Sequence, residues 1–262
     1  MSEAEPQPAR RRWWRWRPDR KRLIELVIII FGVLIALGLE NSVQEGRWRQ
    51  EGRDLERLAR QELELNLAQA IERIAVDRCL RERVAFLAAG LDKATGSYAP
   101  QPFPHDESNS TKLALPRAYQ PMLRPWRSAS LQRLLATEAS KRVSPERLLL
   151  LSQVLFSVES IARDAGEEHI ASGRTLPLAM GIPTMTPEIR ADLLADLGEL
   201  DRARSGVELV ARRLTDRGAE LGVAPDPAEM RQRLIELRAT WGDCVDIAAG
   251  MALSQRLSDR AT

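Results

Sequence analysis

Few side chains in this 262-residue sequence could do chemistry, and their spacing rules out most of what they could do. There are two histidines. Glu167-Glu168-His169 sets three metal-ligand types side by side, but consecutive helical residues point about 100° apart, so the three need a remote ligand to close on one ion. His105 stands with Asp106 and Glu107 in a proline-rich stretch and reads as a solvated turn. Cys79 and Cys244 are too few and too far apart for a disulfide framework or a four-ligand zinc site. A single bridge stays open to them if their α-carbons come within about 7 Å. There is no glycine-rich phosphate loop, no H-E-x-x-H, no G-x-S-x-G and no paired-cysteine spacing. The expectation is therefore a non-enzyme with no catalytic residue, no metal and no cofactor.

The elements that would position any site are set by one stretch, Leu23 to Leu39, LIELVIIIFGVLIALGL, the only segment apolar enough to leave water altogether. With flanks reaching Val43 it reads as a transmembrane helix over residues 23–43. Residues 1–22 carry eight basic against three acidic residues, which leaves 31 of the 39 Lys/Arg and 34 of the 37 Asp/Glu for the rest of the chain. Basic residues beside a span are retained on the cytoplasmic side, so the N-terminus is expected inside and the C-terminal domain exported. Arginine outnumbers lysine 35 to 4, a bias of GC-rich bacterial genomes, which makes the expected location the bacterial inner membrane with a periplasmic domain. Trp13, Trp14 and Trp16 among arginines, followed by Lys21 and Arg22, suit the headgroup layer, so membrane lipid is an expected partner and nucleic acid is not. A cleaved signal peptide is the alternative, since Ala36-Leu37-Gly38 has small residues where a signal peptidase cuts.

Within the run, Glu25 falls at i+4 from Lys21 and i+3 from Arg22 and reads as an interfacial ion pair. Gly32 and Ala36 form a small-xxx-small step through which two copies of the span could pack as a homo-oligomer. Leu23 to Ile28 looks like the start of a type IV pilin, but Arg20-Lys21-Arg22 stands where pilin processing needs other residues, and that family is set aside. The chain more broadly resembles bacterial single-span proteins of unknown function. The resemblance rests on the span from Glu25 to Glu40, on Leu58, Glu62 and Asn66 in the helix that follows, and on the W-x(4)-S segment of WRSASLQRL, Trp126 to Leu134. It implies an architecture and no activity.

Beyond the span, residues 44–92 read as a long amphipathic helix, whose leucines and isoleucines from Leu55 to Leu87 recur in threes and fours and whose acidic and basic residues solvate the outer face. Residues 93–127, with six prolines, read as a loop whose Tyr98, Phe103, Tyr119, Met122 and Trp126 either dock a partner or pin the loop to the bundle. Residues 128–262 make up the remainder of the bundle. Ser144-Pro145-Glu146, Thr186-Pro187-Glu188 and Asp226-Pro227 are helix starts, and the nearly all-apolar LLLLSQVLFSVESI is expected to be the buried central helix. The last helix is expected to reach Leu257, with Gly242 and Gly250 as weak points, and no strand is expected. The fold class is all-α: one N-terminal transmembrane helix, then an antiparallel bundle of four or five helices. The function expected from this is an exported interaction or scaffold domain for an unidentified envelope protein, the alternative being a ligand-sensing exported domain.

Overall fold

The computed structural model describes residues 20–104 and 116–261. It is helical apart from one small two-stranded sheet, and it divides into two compact units, 1–49 and 50–262. The first helix, α1, runs Arg20–Lys93.

In the first unit, the described part of α1 carries its apolar residues in the open. Eleven large apolar side chains from Ile24 to Leu37 are each 44–64% exposed. Among the described residues no helix is long and apolar enough to cross a membrane. Residues 24–38 measure ~22 Å at 1.5 Å per residue, against a hydrocarbon core of about 30 Å. The expected 23–43 span is thus not found among the described residues; the side chains of residues 23, 39 and 41–43 lie outside them.

The second unit is built on the rest of α1. After it come α2 (Ala129–Ala136), α3 (Pro145–Arg174), α4 (Leu176–Met180), α5 (Pro187–Glu220), α6 (Pro227–Trp241) and α7 (Ile247–Ala261). The three start signals act as expected. Ser144 Oγ accepts from the Arg147 N–H at 3.3 Å and Thr186 Oγ1 from that of Ile189 at 3.3 Å. Asp226 Oδ1 accepts from Ala228 and Glu229 at 2.7 and 3.0 Å. Each cap satisfies amides that the first helical turn leaves open, and the proline that follows has none to lose.

Two apolar clusters form the core, and α1 supplies both. Leu55, Leu63 and Leu67 meet α2, α3 and α5 in one, while Ile71, Leu80, Leu87 and Leu91 meet the loop after α1 and the last helices in the other. The central buried helix is therefore α1, whose residues 66–73 and 75–77 are all buried, and not α3. The α3 stretch LLLLSQVLFSVESI buries Leu151, Val154, Val158 and Ile161 but leaves Leu149 and Phe156 exposed, so its run of leucines is one face plus a fringe.

Two further expectations are corrected. A short antiparallel pair does form, β1 (Gly96–Tyr98) with β2 (Ile182–Met185), too brief for alternation to show in sequence. It is set by Gly181, whose φ of 84° favours glycine and at which a Cβ would lie 2.8 Å from Pro100 Cδ. The last helix is two helices: Gly242, at φ 56°, ends α6, a 3-10 turn follows over Gly242–Cys244, and α7 restarts with Asp246 accepting from the Ala249 N–H.

The described parts of the proline-rich loop, residues 94–104 and 116–127, are pinned to the bundle. Arg83 donates to the carbonyls of Gln101, Pro102 and Ala118 at 2.5, 3.0 and 2.8 Å, and Arg190 donates to that of Ala94. Tyr98, Phe103, Tyr119 and Met122 are buried beneath it. Cys79 and Cys244 are joined in a disulfide with α-carbons 5.1 Å apart, which answers the open question of the bridge.

Candidate functional site

Of the residues singled out in sequence, Trp13, Trp14, Trp16, His105, Asp106 and Glu107, with the side chain of Arg22, lie outside the described residues. Lys21, Glu25 and Ala36 are exposed, and a methyl group built on Gly32 meets no atom within 4 Å. On α3, Glu168 turns into the core while Glu167 and His169 face out, so the three do not converge.

The segments 58–66 and 126–134, however, are brought together. Asn66 Nδ2 donates to the Arg127 carbonyl at 2.6 Å, and the Arg127 N–H donates to Asn66 Oδ1 at 3.1 Å. One turn earlier, Glu62 accepts from the N–H groups of Ser130 and Leu131 at 3.0 and 3.3 Å, placing a carboxylate on the open amides at the start of α2.

The densest polar site went unread in sequence. Arg73 of α1 donates to Glu168 of α3 at 3.1 Å and lies 3.5 Å from Asp77 one turn on. Arg204 of α5 reaches Asp77 at 2.7 Å and Asp201 at 2.9 Å, and Tyr119 from the loop donates its hydroxyl to Glu168. Arg73, Asp77, Tyr119, Glu168 and Arg204 are all buried. Burial, then the Glu168 carboxylate, pushes the Tyr119 hydroxyl well above its usual range. Burial also raises Asp77, against the pull of Arg73 and Arg204, and a hydrogen bond between Asp77 and Glu208 raises Asp77 and lowers Glu208. Burial would lower Arg204, but Asp77 and Asp201 outweigh it and raise it.

A second cluster opens to solvent. Glu72, itself buried, accepts from Arg124 at 2.9 Å through Oε2 and from Arg233 at 2.7 Å through Oε1, joining the loop to α6 across α1. These three line a cleft of about 550 Å³ floored by Met122, Leu237 and Trp241.

Glu72 has both carboxylate oxygens, and Asp77 and Glu168 one each, engaged by guanidinium or phenol donors, and a buried pair of this kind fixes which elements meet more than it adds net stability. A substrate would have to break the bundle to touch Tyr119 or Asp77. The cluster's signal in sequence was Arg73 standing amid the apolar positions Leu67 to Val76, with Gln69 and Asp77 at i−4 and i+4. Comparison of the chain with protein-family models, with curated proteins and with solved structures gives no match.

Proposed function

We propose that this chain is a single-pass anchored protein of the bacterial inner membrane, related to the single-span proteins it resembles, and that its second unit is an exported, non-catalytic interaction or scaffold domain for an envelope protein. The observation that carries the reading is the exposure of every large apolar side chain described between Ile24 and Leu37 on all sides of one helix. An all-round apolar helix with no protein around it needs an apolar solvent, and lipid is that solvent. The helical backbone continues from Arg20 past Val43, so the flanking turns can extend the run toward the thickness of a bilayer. The Cys79–Cys244 bridge belongs to an oxidising compartment and favours the exported side for residues 50–262. The pairing of the buried carboxylates Glu72, Asp77 and Glu168 with guanidinium groups from other elements supports a scaffold over an enzyme, and the long helices of the unit would then run antiparallel.

The test is topology. Cells with only the outer membrane permeabilised are treated with protease, with one tag before Ser2 and another after Thr262. The C-terminal tag should be lost while the N-terminal tag survives on a small membrane fragment that resists alkaline carbonate. The opposite pattern would invert the assignment, and a soluble product beginning near Leu39 would make the run a signal peptide. Packing of two spans through Gly32 and Ala36 is read by the same logic: Gly32→Ile should weaken association in a membrane two-hybrid assay.

A further inference from the structure

Where α1 enters the second unit, it forms one wall of a pocket of about 280 Å³ with α2, the start of α3 and the turn after α5. The floor is hydrocarbon: Leu63, Leu131, Leu134 and Leu151 come from three different helices, closed by Val223. None of these side chains can hydrogen-bond, which suits an acyl chain and disfavours a peptide, whose backbone would be left unpaired. The rim is the reverse. Arg53, Arg57, Arg60 and Arg147 stand around it, and the only carboxylate in the lining is Glu56.

The rim arginines hold exposed partners. Arg57 meets Asp54 at 3.4 Å, Arg60 meets Glu64 at 3.2 Å and Arg147 meets Glu56 at 2.8 Å. Exposed pairs of this kind are worth about 0–1 kcal/mol, so an incoming carboxylate or phosphate can take their place at little cost and gain a forked guanidinium contact. The volume of about 280 Å³ falls just below the range of small-molecule sites, about 300–1,000 Å³, and leaves no room for two chains.

We propose that this pocket binds a single-chain anionic lipid, with its tail on the leucine floor and its acidic head among Arg53, Arg57 and Arg147. Arg53 follows the apolar run by residues 39–52 only, so on the anchored reading above the bilayer is the source of that lipid; the pocket itself does not depend on that reading.

The test uses the full chain in a non-ionic detergent with a hexadecanoate carrying a diazirine in its tail. Adducts should map to peptides containing Leu131, Leu134 or Leu151, and should be competed by hexadecanoate but not by cetyltrimethylammonium, which has the same tail and the opposite charge. The variant Arg53→Ser/Arg57→Ser/Arg147→Ser, changed only at exposed positions, should keep its helical circular dichroism and lose labelling by about tenfold or more, the effect expected from losing at least one charged hydrogen bond. Absent or scattered adducts, equal competition by the cation, or undiminished labelling of the variant would each overturn the proposal. A second arm supplies the probe in phosphatidylglycerol vesicles holding the reconstituted chain. The same adducts there support the bilayer as source, whereas labelling only by free probe rejects that source. Since the detergent arm needs no span, its result on the pocket holds even if the topology test fails.

Discussion

Asn66 and Arg127, 61 residues apart in the chain, hold each other by two hydrogen bonds, the amide side chain of Asn66 pairing with the backbone N–H and carbonyl of Arg127 as a neighbouring strand would. With Glu62 on the amides of Ser130 and Leu131, this fixes where the chain leaves the proline-rich loop and where α2 begins.

Asn66→Ala should therefore cost about 1 kcal/mol, because two partly buried hydrogen bonds to the Arg127 backbone are lost. Glu62→Ala should cost about 1 kcal/mol, as for loss of a helix cap. The double variant should fall short of the sum, since both act on one junction. Urea unfolding of the three variants measures this, and strict additivity would mean that the two contacts work independently.

Tyr119 makes stability fall in alkali. The folded state keeps the phenolic proton past pH 10, where an unfolded tyrosine releases it, so the unfolded chain binds fewer protons and stability drops as pH rises. The contribution is fully present below the unfolded value and is lost at about 1.4 kcal/mol per pH unit above it. Tyr119→Phe should remove one proton's worth of that slope while costing stability at neutral pH, where Glu168 loses a donor. An unchanged alkaline slope in the variant would show that the hydroxyl is open to solvent.

Two glycines of α5 should respond with opposite sign. A Cβ at Gly218 would lie 2.6 Å from a methyl of Leu67, so Gly218→Ala should destabilise by about 1–3 kcal/mol despite the better helix propensity of alanine. At Gly198 a Cβ meets nothing within 4 Å, and Gly198→Ala should stabilise by about 0.5–1 kcal/mol. Thermal unfolding of both in parallel tests the packing of α1 on α5.

The bridge predicts that the oxidised chain offers no thiol to an alkylating reagent and that its gel mobility changes with reductant. Cys79→Ser/Cys244→Ser should lower stability by about 2–4 kcal/mol, since the bridge closes a loop across 165 positions. Equal mobility with and without reductant would exclude it.

What was legible in the sequence is what local chemistry determines. Ser144, Thr186 and Asp226 were readable as caps because the acceptor and the amides it serves lie within three residues, and Gly242 was readable as a weak point because it alone could take a positive φ there. The rest depends on partners remote in sequence. Arg83 resembles any other solvated arginine until the carbonyls of Gln101 and Ala118 are seen folded over it. Glu168 stood beside His169 as a possible ligand, whereas helical geometry turns it toward Arg73 on another helix. The leucine run of α3 outweighed α1 as the central helix because the buried face of α1 includes Asn66, Gln69, Glu72, Arg73 and Asp77, which count as polar until their partners are known.

The position of Cys244 also fixes an order of events during synthesis. At roughly 5–20 residues per second, the ribosome takes roughly 10–30 s to travel from the codon for Cys79 to that for Cys244. The partners of α1 in α5 and α6 are made only within that interval, and α7 only after it. Until then, the first helix of the second unit has its leucine stripe and the Arg73 side chain uncovered and the Cys79 thiol unpaired. Native closure is therefore a late event, complete only near the end of translation.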